Sequence, residues 1–444
     1  MSSISILETL PDELLLEICK YLLCIDVLLS FDNLNQRFVC LTRDYRRCVS
    51  LHKASYKQSF QFCTTILPQI GSYIQTLIID NCYSSLQAIV FPTYFTHIPM
   101  SKCFPCLEKI ILISFRPDPL LVLLNILTNL RSLSIIELRS LFRVTLNQQS
   151  EILIALFQAN NQRIKSIHID DQSCPLNPIR KYFLAKKQYS NIHHLQIQIS
   201  TLNDLSFLLQ LIPNIQSLNV SITKRRHIDH LNRLFSSTNR LNLLRTLQFK
   251  SVQHSWTFDE LNHLFKHLPT IEHLSLNIRT SDVRLINGQI LQNCLSKQIQ
   301  TFHYAVHYLP EQMLFNVEQI RQTWQMFRPI VCLYNRTEND YMFLHTLPYS
   351  SFDYLEVSST VMNSLMNYSY TNIQRLHIDC DWKINEIFPI IRCCQYIRYA
   401  MIWFHGNLMS TNEQQSTDSS RIFRIHVFSE IKISFSVYLL RLYE

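Results

Sequence analysis

Residues 202–220 read LNDLSFLLQLIPNIQSLNV, and the organisation of the chain turns on them. Leu202, Leu205, Leu208, Leu209 and Ile212 recur at the spacing of one helix face, and Pro213 forbids continuation of that helix. Two residues later Ile215, Leu218 and Val220 start the x-L-x-L-x alternation of a half-buried strand. The unit is therefore helix, proline, strand. Leu261-Leu264-Phe265-Leu268, Pro269 and Ile271-Leu274-Leu276 repeat it in the same order.

The strand half of this unit returns along the chain in twelve copies. They are Ile74-Leu77-Ile79, Leu107-Ile110-Leu112, Leu130-Leu133-Ile135, Ile164-Ile167-Ile169, Ile192-Leu195-Ile197, Ile215-Leu218-Val220, Leu244-Leu247-Phe249, Ile271-Leu274-Leu276, Ile299-Phe302-Tyr304, Phe352-Leu355-Val357, Ile373-Leu376-Ile378 and Ile397-Ala400-Ile402. Starts lie 21 to 34 residues apart, except for one gap of 53 in which Ile330-Val331-Leu333 reads as an eroded copy. The intervals straddle the roughly 20–29 residues of leucine-rich repeats. No such unit can bury both faces alone, and stacking solves this with strands on one side, helices on the other and a core between. The predicted class is α/β: after an N-terminal helical module comes a right-handed, curved leucine-rich-repeat-like solenoid, with parallel strands on its concave face and helices outside. The asparagine or cysteine that usually follows the strand in such repeats is mostly missing, although Asn81-Cys82 and Cys380 come close.

The composition fits a folded chain. Of 444 residues 47% are apolar and 17% charged, too little charge for a disordered protein. Only three glycines occur, Gly71, Gly288 and Gly406, so no glycine-rich loop can bring backbone amides up to a phosphate as P-loop, Rossmann and kinase sites require. The first residues, MSSISILETLPDE, lack the basic and apolar regions of a secretory signal, and the expected location is cytoplasm or nucleus. Apolar runs such as Pro119 to Leu130 are broken within about ten residues, short of the ~18 that span a bilayer, so no membrane association is expected. The fourteen cysteines show no paired spacing and read as free thiols. The net charge of +8 is spread over small clusters such as Lys224-Arg225-Arg226, a weak pointer to nucleic acid.

Residues 10–23, LPDELLLEICKYLL, place Pro11 in a first helical turn, with Asp12 and Glu13 at the positive end of the helix dipole. Leu14, Leu15, Ile18, Tyr21 and Leu22 form a wide apolar stripe. A second helix is predicted from Asp26 through Val27, Leu28, Leu29, Phe31 and Leu34, and a third from Asn35 to Arg47. Three short helices in under fifty residues bury little and need a neighbour. From the residues alone, a helical cap covering the first repeat is one reading of this segment, and it does not exclude a docking role.

Leu10-Pro11, Glu13-Leu14, Ile18, Tyr21-Leu22, Asp26-Val27-Leu28 and Asn35-Gln36-Arg37-Phe38 resemble the F-box pattern in order and spacing. The match covers residues 6–46, about a tenth of the chain, and Phe38 stands where the family often carries a tryptophan. The resemblance, together with the repeats, implies a member of the F-box/leucine-rich-repeat group. It implies that Leu10, Pro11, Leu14, Leu15, Ile18, Tyr21, Leu22, Val27 and Leu28 contact a Skp-type adaptor, itself joined to a cullin scaffold and a RING subunit.

In the alternating strands the intervening positions face outward from the core. On the predicted concave face this gives His168, Asp170, His194, Gln196, Asn219, Gln248, Lys250, His273, His303, Arg375, His377 and Asp379 as candidates for holding a target protein. This lining is polar and rich in His and amide groups. Cys103-Phe104-Pro105-Cys106 is a lone C-x-x-C without a second pair, and neither His263/His267 nor His303/His307 has the glutamate of an H-E-x-x-H site. No metal, cofactor or catalytic site is expected.

The expected organisation is a helical module over residues 1–47, the solenoid over 48–404, a polar loop over 405–420 and a strand-like cap over 421–444. The expected function is that of a non-enzymatic substrate receptor of a cullin-RING ubiquitin ligase, a monomer before assembly. A scaffold without ligase function is the alternative, and a nucleic-acid-binding solenoid the second alternative.

Overall fold

The computed structural model describes residues 6–31, 34–82, 91, 93–95, 98–178, 188–223, 242–310, 316–325, 329–334 and 342–347. Beyond these it describes the strand backbones at 354–358, 375–380, 399–404, 421–428 and 432–438. The predicted loop 405–420 lies outside the described residues. The chain forms two compact units, Met1–Leu247 and Gln248–Glu444.

The first unit opens with α1 (Asp12–Lys20), α2 (Cys24–Phe31), α3 (Gln36–Leu41) and α4 (Arg43–Arg47). The single third helix expected from Asn35 to Arg47 is two. Asn35 caps α3 by accepting from the Phe38 amide, and Thr42 interrupts, its hydroxyl donating back to the Phe38 carbonyl at 2.8 Å. Next come β1 (Cys48–Ser50), β2 (Thr76–Asp80), β3 (Lys109–Ile113), β4 (Ile135–Arg139), β5 (Ser166–Ile169), β6 (His194–Ile199) and β7 (Ser217–Ile222). These pair in chain order and all in parallel. Leu77, Ile110, Ile136, Ile167, Leu195 and Leu218 stand side by side across β2 to β7 in one inward row, all buried.

That row corrects the third predicted copy. Ile110 pairs with Ile136 and Leu112 with Leu138, so the register of β4 is Leu133-Ile136-Leu138, not Leu130-Leu133-Ile135. The segment satisfies the apolar spacing in both frames, and pairing with β3 and β5 decides between them.

The start of each strand is set by a shared acceptor. The carbonyl of Gln75, just before β2, accepts from the amides of both Glu108 and Lys109 at the start of β3. Glu108 does the same for Ser134 and Ile135, Ser134 for Lys165 and Ser166, Lys165 for His193 and His194, and His193 for Gln216 and Ser217. Helix starts are as regular: Thr145, Thr201 and Thr257 form capping boxes with Gln148, Asp204 and Glu260 at the helices Leu146–Gln162, Leu202–Leu211 and Phe258–Lys266. Helix Leu146–Gln162 departs from helical geometry at its end, where Asn160 and Asn161 sit at φ of 51° and 54°. Asn160 is buried, accepts from the Leu130 amide at 2.8 Å and donates to the Leu130 and Leu133 carbonyls at 2.6 and 3.0 Å.

The second unit begins within β8 (Thr246–Ser255), and β8, β9 (His273–Thr280), β10 (Thr301–Tyr308), β12 (Met342–Thr346) and β11 (Ile330–Tyr334) neighbour one another in that order. β9 and β10 are parallel, but β12 runs antiparallel to both β10 and β11. The eroded copy expected at Ile330-Val331-Leu333 is thus the outer strand of an antiparallel pair, not a further parallel repeat. Every residue of β12 is buried, and without alternation it carried no repeat signature. A separate sheet holds β13 (Tyr354–Ser358), β14 (Arg375–Cys380) and β15 (Tyr399–Phe404) in parallel, followed by antiparallel β16 (Arg421–Phe428) and β17 (Lys432–Tyr438). Leu355, Leu376 and Ala400 align in register there, as do Val357, Ile378 and Ile402. No helix among the described residues is long and apolar enough to cross a membrane.

Two measurements test these features. Replacing Asn160 with Ala leaves three buried backbone groups unpartnered and puts a Cβ-bearing residue without a local side-chain bond at positive φ; urea unfolding should show a loss of about 3 kcal/mol. His345 is fully buried, its Nδ1 donating to the Thr346 carbonyl at 3.1 Å, and burial lowers its pKa to about 4, with that bond only partly opposing the shift. Above the ordinary histidine value near 6.5 its contribution is fully present; as pH falls towards about 4 the unfolded chain binds a proton that the folded chain excludes, and stability declines. Unfolding measured between pH 7 and 4 should show a shallower decline in His345→Phe than in the native chain, and equal slopes would contradict the assignment.

Candidate binding surfaces

The α1 sequence is leucine-rich around most of its circumference, and the fold divides those side chains between two faces. Leu15 and Cys19 turn inward and join Val27, Phe31 and Phe38 in a small core, with Leu7, Leu10, Leu41 and Tyr45 packed against it. The Phe31 and Phe38 rings stack at 5.5 Å between centroids. Leu14, Ile18 and Leu22, at i, i+4 and i+8, lie outside together with Tyr21; Leu14 is 52% exposed and Tyr21 84%. Leu16 and Leu34 are exposed as well, but Leu16 lies two residues, about 200° round the helix, from Leu14 and so on another flank of α1. Of the residues assigned to adaptor contact, Pro11, Leu14, Ile18, Tyr21 and Leu22 are exposed and Leu10 half-buried. Leu15, Val27 and Leu28 are a correction: all three are buried and present nothing to a partner.

Arg37 secures the turn that carries Leu10 and Pro11. Its Nε donates to Asp12 Oδ1 and its Nη1 to the Glu8 carbonyl, both at 2.6 Å, while Nη2 donates to the Leu10 carbonyl. Asn35 adds a bond from Nδ2 to Glu8 Oε1 at 3.0 Å. A guanidinium distributing donors over three acceptors holds a segment that has little packing of its own.

The second surface is the outward side of the strands. Strand register places Ile78, Ile111, Glu137, His168, Gln196 and Asn219 in one row across β2 to β7. The predicted His168, Gln196 and Asn219 are therefore neighbours, and each is half-buried. His194 lies one row away between Ser166 and Ser217 and is exposed; burial, His193 and His168 hold its pKa below the ordinary value. In the second unit Gln248, Lys250, His273 and His303 are half-buried on β8, β9 and β10, with His273 Nδ1 2.8 Å from Thr301 Oγ1. For Arg375, His377 and Asp379 only the backbone of β14 is described; their side chains lie outside the described residues.

Asp170 is half-buried like its neighbours in the predicted set. It follows β5 and ties down a loop, its carboxylate accepting from the Ser140 amide at 3.0 and 3.2 Å and from the Ser173 hydroxyl at 2.5 Å. Burial raises its pKa despite those bonds.

Sequence reading missed a charged group on the same face. Glu137 accepts from Lys109 Nζ at 2.6 Å and from Arg139 at 2.5 Å. Burial opposes ionisation of Glu137, but the two cations outweigh it and hold the carboxyl below its ordinary value. The wrong frame for β4 hid this group, because a strand ending at Ile135 excludes Glu137 and Arg139. The thiols are a different matter: burial pushes Cys24 and Cys332 up to about 11 and Cys63 up to about 12, which makes them packing groups and poor nucleophiles. Among the described residues no three His, Cys, Asp or Glu side chains gather as metal ligands.

In comparisons with known proteins, no family model matches the chain and no curated protein matches it.

The Arg37 bonds yield a prediction. In Arg37→Ala, hydrogen exchange at residues 8–12 should quicken at least severalfold while amides of β2 to β7 keep their protection. Unchanged exchange over 8–12 would show that the turn is held by packing alone.

Proposed function

We propose that the chain is the substrate-recognition subunit of a cullin-RING ubiquitin ligase: an F-box module docking on a Skp-type adaptor, followed by a leucine-rich-repeat-like solenoid whose outward strand face holds a target protein. The observation that carries this reading is the outer surface of α1. The module completes a core with Leu15, Cys19, Val27, Phe31 and Phe38 and still leaves Leu14, Ile18, Tyr21 and Leu22 in water. Clustered exposed apolar side chains on a small helical unit mark a protein contact. Burial of apolar surface contributes about 25 cal/mol per Å², so covering this face is a substantial driving force for docking.

The order of Leu10-Pro11, Glu13-Leu14, Ile18 and Tyr21-Leu22 agrees with adaptor contact, and Arg37 presents the Leu10-Pro11 turn beside that face. The strand face suits a protein target in a different way. His168, Gln196 and Asn219 offer hydrogen-bond donors and acceptors at strand spacing, flanked by Lys109, Glu137 and Arg139. The chain itself supplies no chemistry in this reading. It raises the effective concentration of target lysines near a ubiquitin donor held elsewhere in the assembly.

The test is co-elution of the full-length chain with a Skp-type adaptor on size exclusion, beside Leu14→Asp/Ile18→Asp. Both positions are exposed, so the double variant should keep its circular dichroism while adaptor affinity falls about 100-fold or more. Binding at native strength in the folded variant would overturn the reading.

A further inference from the structure

The segments leading into β4 and β5 and the short helix Met100–Cys103 surround a cleft of about 490 Å³, lined by Ser101, Pro105, Asn129, Arg131 and Arg163. Its charge is one-sided: among the described residues two guanidinium groups line it and no carboxylate does. Four arginines elsewhere are held by carboxylates: Arg37 by Asp12, Arg139 by Glu137, Arg284 by Asp259 and Asp282, and Arg321 by Glu318. Arg131 and Arg163 are exposed, and neither guanidinium makes an ion pair or hydrogen bond among the described residues.

The backbone beneath both arginines is fixed by one residue. Asn160 accepts from the Leu130 amide through Oδ1, next to Arg131, and its carbonyl accepts from the Arg163 amide at 3.1 Å. Asn129 is held at φ of 60° and accepts from Asn161 Nδ2 at 2.9 Å, which leaves its own amide nitrogen as a donor. Two like charges are thus carried into one cleft on a rigid support. They repel, and a multivalent oxyanion between them would reverse the sign of that interaction.

We propose that this cleft binds a phosphate group. Planar guanidinium forks match phosphate oxygens two at a time, and the Ser101 hydroxyl and Asn129 amide supply neutral donors beside them. Free phosphate and a phosphorylated side chain of a protein present the same chemistry to such a site. The inference stands on the cleft alone and is independent of adaptor docking.

The experiment is calorimetric titration of the full-length chain at constant ionic strength with inorganic phosphate, with a phosphoserine peptide and with the same peptide unphosphorylated. The native chain should bind phosphate or phosphopeptide saturably, and Arg131→Ala/Arg163→Ala should weaken that binding at least tenfold. Arg131→Lys/Arg163→Lys keeps the charge and loses the fork, so it should fall between the two; it also decides the matter should the alanine variant fold poorly. Tighter binding of the phosphopeptide than of free phosphate assigns the site to a protein-borne group, and equal or weaker binding to free phosphate. Saturable binding of neither ligand by the native chain, or native affinity in the double lysine or folded double alanine variant, overturns the proposal.

Discussion

One carbonyl oxygen bound by two successive amides of the next strand is the contact on which the first unit depends. The residue before each strand from Gln75 to His193 plays this part, and the strand that follows has no freedom to slide. A shift of one residue would orphan an amide and turn each inward leucine or isoleucine outward. The continuous inward row from Leu77 to Leu218 and the outward row from Ile78 to Asn219 are two results of the same constraint. Asn160 serves the helix side in a comparable way, since its side chain bonds backbone of the preceding repeat through three hydrogen bonds.

The repeat was legible because burial on one face leaves a period-2 trace, and ten of the twelve copies align in the strand registers described. Reading failed where the trace was ambiguous or absent. Leu130, Leu133, Ile135, Ile136 and Leu138 satisfy two frames, and only hydrogen bonding to β3 and β5 selects one. Met342–Thr346 is buried at every position, so it shows no alternation, and its antiparallel course next to β10 is a matter of long-range pairing. Short β1 was missed for a simpler reason: Cys48-Val49-Ser50 has a single buried side chain.

Candidate site residues divide along the same line. Alternation placed His168, Gln196 and Asn219 together on one face, because facing direction is a local property. It could not reveal that Asp170, a step past the end of β5, spends its carboxylate on Ser140 and Ser173. In α1 the helical spacing located the apolar surface but merged two faces into one. Which of Leu14 and Leu15 points to water depends on where Phe31 and Phe38 pack, and those lie on other helices.

The reversal of β12 bears on how such a chain can vary in length. A parallel array accepts an extra helix-strand unit wherever two neighbouring strands run the same way, since each new strand finds and presents the same edge. Beside β10 that condition fails: β12 opposes its direction, and β11 opposes β12 in turn. Duplication of a unit can therefore lengthen the array within its parallel stretches, but growth by copying stops at β10, where the hairpin acts as a terminus written into strand polarity.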